Sequence, residues 1–279
     1  MEIISLVIGA IVGLILGLTG AGGSIIAVPL LTLGLTLPLK DATGLALLAV
    51  LASSAFGVTT RLRSKQILWL PGVVLAVTGA ATAPLGRALA GVIPDTALAS
   101  AFALLSIAIS VRLWRQATQT PDATRVVRAS SDMRGDSTGP LCRMNEWQPM
   151  QFRFRCMASM ITAGLGIGVL SGLFGVGGGF LIVPVLMFLT GTSIRQAVGT
   201  SLLVISLVSL SGFTSHVLMS DSANLVQAWP LAAGGVLGML AGNQLGHRIS
   251  GPGLQKLFAV TVIVITLIML VRQYVPSVL

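Results

Sequence analysis

Gly17-Leu-Thr-Gly-Ala-Gly-Gly-Ser-Ile-Ile-Ala-Val-Pro-Leu-Leu31 aligns without gaps on Gly172-Leu-Phe-Gly-Val-Gly-Gly-Gly-Phe-Leu-Ile-Val-Pro-Val-Leu186, and eight of the 15 positions are identical. The same offset of 155 residues pairs Lys40 with Arg195, Ala42 with Ala197, Gly44 with Gly199 and Leu47 with Leu202. Shared apolar composition would not keep Pro29 opposite Pro184 and the glycines in phase, so the chain reads as two homologous halves. Each stretch lies in an apolar run, Ile3–Leu37 or Met157–Leu189, that is over 30 residues long. One helix of that length would measure about 50 Å at 1.5 Å per residue. Glycine clusters interrupt helices and permit positive φ. Each run is therefore expected to form two short half-helices joined by an unwound stretch.

The surrounding sequence sets the class. Of 279 residues, 54% are hydrophobic and 9% charged, with a mean hydropathy of +0.94. Soluble domains carry about 25% charged residues, and this shortfall leaves too little polar surface for a soluble globule. Further runs near the 20 residues a spanning helix needs are Ala42–Thr60, Ile67–Leu89, Thr96–Leu113, Ala197–Leu218, Ala228–Leu245 and Leu254–Val271. The expected fold is all-α and polytopic, each half a broken or re-entrant helix followed by three transmembrane helices. The first repeat is placed at 1–114, a linker at 115–155 and the second repeat at 156–279. Met1-Glu2 leads straight into Ile3 without the basic region of a secretory signal, so the first apolar segment is read as retained.

Arg112 to Arg155 hold 12 of the chain's 25 charges, so the net charge of +9 is concentrated in the linker. That pattern fits the Lys/Arg excess of cytoplasmic loops rather than a nucleic-acid footprint, and no nucleic-acid partner is expected. Cys142 and Cys156 fall in or beside this segment, so reduced thiols are expected rather than a structural disulfide. Arg61-Leu-Arg-Ser-Lys65 is the other basic loop, and an even number of crossings lets both face the cytoplasm. If Met157–Leu189 is a re-entrant hairpin, Arg195, Arg248 and Lys256 also face inward. The charge rule thus favours inverted repeats over parallel ones, and both stay open. Gly234, Gly238, Gly242 and Gly246 recur every four residues, a stripe that lets helix backbones approach. Trp69 and Trp229 start matching helices, as interfacial anchors do.

Broken helices present unpaired N–H groups and positive dipole ends, and many transporters bind substrate there. The candidate anion-binding residues are Gly20, Gly22, Gly23 and Ser24 in the first half and Gly175, Gly177, Gly178 and Gly179 in the second. The two breaks are expected to meet near a pseudo-two-fold axis. Thr200 and Ser201 open the helix after the second broken segment and join the candidates. Ser206, Ser209, Ser211, Thr214 and Ser215 lie further along it. Lys40 and Arg195 either attract anions at the two entrances or anchor helix ends, and anchoring is favoured. His216 either carries a proton or sits as an interfacial group.

Other chemistries lack their residues. No strand context or Gly-Lys-Ser/Thr accompanies the glycines, which disfavours a nucleotide loop. Ser171-Gly172 lacks the Gly-x-Ser spacing of a membrane serine protease. Two His, two Cys and no mid-helix carboxylate make a poor metal site. No enzyme activity and no cofactor are expected. Asp41, Asp95 and Asp221 lie in turns, so a facilitator driven by the anion gradient and the membrane potential is the simplest mechanism.

Gly17–Leu31 and Gly172–Leu186, each followed by a short apolar stretch and then Gly44 or Gly199-Thr200-Ser201, resemble the TauE/SafE family of membrane transporters. The resemblance spans Ile3–Leu113 and Met157–Val271. It implies a bacterial cytoplasmic-membrane carrier that exports sulfite or an organosulfonate such as sulfoacetate. Leu45-Ala46 stands where the second copy has Thr200-Ser201, which implies an asymmetrically lined pocket. The expected partners are a small anion and the lipid bilayer, with a homodimer left open. The rivals are a carrier of the same build for another organic anion or a neutral solute, and a non-transporting membrane scaffold.

Overall fold

The computed structural model describes residues 2–20, 23–35, 37–62, 67–119, 154–190, 192, 194–219, 225–246 and 252–274. Among them the chain is all-helical. Ten helices follow in order: α1 Glu2–Thr19, α2 Gly23–Gly34, α3 Leu39–Leu62, α4 Trp69–Val92, α5 Asp95–Gln119, α6 Phe154–Phe174, α7 Gly179–Thr190, α8 Ile194–Met219, α9 Leu225–Gly246 and α10 Pro252–Tyr274. Five of them, α1, α3, α4, α6 and α8, are long and apolar enough to cross a membrane. The outer surface is apolar as well, with Leu89, Leu104, Phe188 and Leu218 exposed. Such a continuous exposed apolar surface needs lipid around it. Trp69 and Trp229, 58% and 82% exposed, stand on that surface near the starts of α4 and α9.

The broken segments differ from two equal halves. α1 and α6 run 18 and 21 residues, and only α2 and α7, 12 residues each, are short. Glycines inside α1 and α6 do not end those helices, because all but Gly166 pack closely against a neighbouring helix that compensates their poor propensity. The chain breaks only where glycine adopts positive φ, at Gly20 (74°) and at Gly175, Gly177 and Gly178 (69°, 66° and 65°). The last bonds before each break match, from the Gly20 N–H to the Leu16 carbonyl at 2.7 Å and from the Gly175 N–H to the Ser171 carbonyl at 2.9 Å. After the first break α2 folds back along α1. Its first residue, Gly23, lies against the backbone of Val12 and Leu16, and its last, Gly34, against Ile8 and Ile4.

Close helix pairs hold the bundle. A carbon placed on Gly9, Gly13 or Gly17 of α1 would meet the α9 backbone at Leu231, Gly235 and Asn243 in turn, so the two helices run parallel. Likewise Gly164, Gly168 and Gly172 of α6 meet Thr78, Gly79 and Ala83 of α4. α3 and α8 pack in opposite directions, with Gly44 beside His216, Leu47 beside Gly212 and Gly57 beside Leu202. Hydrogen bonds tie further helices together: the Thr82 hydroxyl donates to the Leu165 carbonyl at 3.0 Å and the Ser211 hydroxyl to the Ala80 carbonyl at 2.6 Å.

Cys156, near the start of α6, is disulfide-bonded, which corrects the expectation of reduced thiols. That expectation followed from the basic charge around it, which reports on membrane side and not on pairing geometry. Cys142, the chain's other cysteine, lies outside the described residues. Purified protein treated with a maleimide-polyethylene glycol reagent should gain no mass until it is reduced and then gain two tags; labelling without reductant would contradict the bond.

Candidate functional site

The two breaks sit toward opposite ends of the α3–α8 pair, and not face to face. Gly20 packs on Val198 in the first turns of α8, whereas Gly175 packs on Thr43, next to Gly44 and hence level with His216. From Val198 to His216 is roughly 27 Å of helix at 1.5 Å per residue. The sequence alignment of the two stretches could not reveal this separation, because matching residues carry no information on where each stretch packs. The second break reaches further inward: a carbon on Gly177 would stand 2.8 Å from the Ser209 hydroxyl, 3.0 Å from Val50 and 3.4 Å from Ile205.

Around the first break, the Ser201 hydroxyl donates to the Val198 carbonyl at 2.8 Å and reaches the Gly20 carbonyl at 3.3 Å. Ser24 is fully buried one residue after Gly23. Gly22 lies outside the described residues. Thr200, also fully buried, accepts the Leu68 N–H at 2.9 Å and so satisfies a donor at the start of α4. Side-chain satisfaction of such orphan N–H groups is ordinary at helix starts. Lys40 holds the α4–α5 turn, donating to the Gly91 carbonyl at 3.2 Å and lying 3.7 Å from Asp95. Its equivalent, Arg195, is in the first turn of α8, where the backbone alone is described.

The second break adjoins a buried cationic cluster that the sequence did not single out. Arg87, on α4, is only 7% exposed. Its guanidinium donates to the Thr43 hydroxyl at 2.8 Å, to the Lys40 carbonyl at 3.0 Å and to His216 Nδ1 at 2.6 Å. An arginine has no lone pair to offer, so the imidazole accepts at Nδ1. His216, in the last turn of α8, is itself 3% exposed and so buried within the bundle. Gly44 makes room for it, since a methyl there would overlap the ring. Thr43 therefore has Gly175 on one side and the guanidinium on the other. All three hydrogen-bond partners of Arg87 are neutral, and the carboxylate of Asp41, in the first turn of α3, acts on it through space.

Within the break, α7 restarts with bonds from Leu181 and Ile182 to the Gly178 carbonyl at 3.0 and 3.3 Å. The N–H groups of Val176, Gly177 and Gly178 donate to no backbone carbonyl among the described residues. With the first N–H groups of α7 they form a concentration of unspent donors. No carboxylate lies on α6, α7 or α8. An array of N–H donors backed by a guanidinium is suited to hold an anion and unsuited to hold a metal cation.

The family described as sulfite exporter TauE/SafE matches residues 5–269. A probable membrane transporter protein of Xylella fastidiosa (strain Temecula1) is 30% identical over 273 residues, covering 95% of this chain and 94% of its own. The probable membrane transporter protein YunE of Bacillus subtilis is 26% identical, covering 96% and 94%. One from Methanocaldococcus jannaschii is 24% identical, covering 88% and 85%. No solved structure matches the chain.

Proposed function

The chain belongs to the sulfite exporter TauE/SafE family of membrane transporters, and from that premise we propose that it carries a small anion, sulfite or an organosulfonate, outward across a bacterial cytoplasmic membrane. The observation that carries the reading is Arg87: a buried guanidinium whose hydrogen-bond partners are all neutral and on which Asp41 acts only through space, next to a glycine break rich in free N–H groups. Ionisable groups inside membrane proteins are costly and are kept where they serve a pathway. An anion arriving beside Arg87 pairs directly with its charge, which a neutral solute cannot do. With the cell interior negative, outward movement of an anion is favoured by about 2.3 kcal/mol per charge per 100 mV.

In this reading the halves are inverted repeats. The opposed directions of the equivalent helices α3 and α8 support inversion, as does the reciprocal packing of α1 on α9 and α6 on α4. Gly20, Gly22, Gly23 and Ser24, with Thr200 and Ser201, line one end of the anion's path. Gly175, Gly177, Gly178 and Gly179 line the other. Lys40, Arg195 and His216 serve its ends, Lys40 by holding a turn and His216 by steering Arg87. The linker 115–155 faces the cytoplasm by its Lys/Arg excess, although an oxidised Cys156 fits the opposite side; a topology reporter inserted at residue 130 decides between them.

The test is flux in proteoliposomes of purified protein at a set membrane potential, comparing sulfite, sulfoacetate, sulfate and chloride. Flux of a sulfur anion that follows the potential is the expected result. Flux of neutral solutes alone, or of none of the four anions, would sink the reading. Loss of flux on deleting 116–153 would instead favour a role centred on the linker.

A further inference from the structure

We propose that the second glycine break is a cradle for an anion with several oxygens, completed by the hydroxyls of Ser171 and Ser209, and that the first break has no equivalent. This rests on the anion-carrier reading above and narrows its site. Serine in a membrane helix ordinarily donates to a carbonyl three or four residues back. Ser53, Ser54, Ser159, Ser206 and Ser215 all do so here. Ser171 and Ser209 do not. Both are fully buried, and neither hydroxyl has a hydrogen-bond partner. Burying an unpaired hydroxyl is unfavourable, so such a group asks for an explanation. Ser110 and Thr266 share this state, but they sit on α5 and α10, which pack together and contain no positive-φ glycine.

Position supplies the explanation for Ser171 and Ser209. The Ser209 hydroxyl, from α8, lies 2.8 Å from where a carbon on Gly177 would stand. Ser171, from α6, has its Cβ 3.7 Å from the corresponding point on Gly178, and its carbonyl holds the Gly175 N–H. The two hydroxyls thus flank Gly177 and Gly178 from separate helices, beside the free N–H groups of the break. Arg87 stands behind Thr43 on the far side of Gly175. Among apolar Val50 and Ile205 and the Thr43 and Ile167 carbonyls, the donors on this wall are spread over several directions. A pyramidal or tetrahedral oxyanion presents an acceptor to each of them, whereas chloride is a single sphere. The 155-residue register places Leu16 opposite Ser171, with no hydroxyl, and Ser54 opposite Ser209, where the hydroxyl is already committed to the Leu51 carbonyl at 3.2 Å.

The experiment measures thermal protection of the detergent-purified protein by sulfate, sulfite, methanesulfonate and phosphate, each against chloride at equal ionic strength. Wild type should be protected by at least one oxyanion, and the preferred one separates sulfur from phosphorus chemistry. Ser171→Ala and Ser209→Ala should each weaken that protection about tenfold in half-saturating concentration, as expected for a lost bond to a charged group. Both should leave the ligand-free midpoint unchanged or raised, because an unpaired hydroxyl is removed; a purely structural serine would lower it. Ser54→Ala should leave affinity untouched. No oxyanion protecting better than chloride, unchanged affinity in both variants, or an equal loss in Ser54→Ala would each overturn the cradle. Oxyanion protection without liposome flux would keep the cradle and remove the carrier reading; flux with unaffected serine variants would do the reverse.

Discussion

Replacing Arg87 with glutamine is expected to lower anion flux about a hundredfold while the protein remains folded and monodisperse. The magnitude follows from charge: a unit charge acting on an anion about 6 Å away at an effective dielectric of 20 contributes about 3 kcal/mol, and each 1.4 kcal/mol is a factor of ten. Glutamine keeps a donor for the Thr43 hydroxyl or the Lys40 carbonyl, which limits the structural damage. It also removes a buried charge, so stability need not fall. Arg87→Lys should land between the two. An ammonium keeps the charge but cannot span Thr43, the Lys40 carbonyl and His216 together as the guanidinium fork does. His216→Asn should have a smaller effect, because it removes one orienting partner and leaves the charge. Flux of Arg87→Gln within twofold of wild type would remove Arg87 from the transport path.

The sequence made the breaks legible because their cause is local. Glycine at positive φ is what the chain requires at Gly20, Gly175, Gly177 and Gly178, and the duplicated cluster announces it twice. The stripe Gly234–Gly238–Gly242 was legible for the same reason, since a four-residue spacing fixes one helix face. Arg87 was not. In Ala83-Pro-Leu-Gly-Arg87 it looks like a basic residue reaching for the headgroups near a helix end. Its partners come from 44 and 129 residues away, and no periodicity links them. Ser209 had the same difficulty. Among the five hydroxyls from Ser206 to Ser215 nothing in the sequence distinguishes the one left without a bond. The separation of the breaks also depends on tertiary packing, because it is set by where Gly20 meets α8 and Gly175 meets α3.

Replacing Gly238 with leucine should damage the fold more than any change at the site. A carbon on Gly238 would overlap the Ala10 carbonyl oxygen and stand 2.7 Å from both the Ala10 carbonyl carbon and the Leu14 nitrogen. Gly234 meets Leu6 and Gly242 meets Leu14 in the same way, while Gly9, Gly13 and Gly17 present the reciprocal face of α1 to α9. The obstructing atoms are backbone on both sides, so no rotamer change can absorb the new side chain and α1 must move away from α9 along its length. Overpacking commonly costs 1–3 kcal/mol. Separation of a whole helix pair is expected to reach the top of that range or exceed it, about 10 °C in midpoint for a chain of this size. The control is Gly166→Ala on α6, where a methyl meets nothing within 4 Å. That change should be neutral or stabilising, since alanine is the better helix former by about 1 kcal/mol. Thermal unfolding of the two variants in one detergent separates the causes. A Gly238→Leu protein that melts with the wild type would mean that α1 and α9 are not held at backbone contact, and the proposed inverted arrangement would keep only the support of the α3–α8 pair.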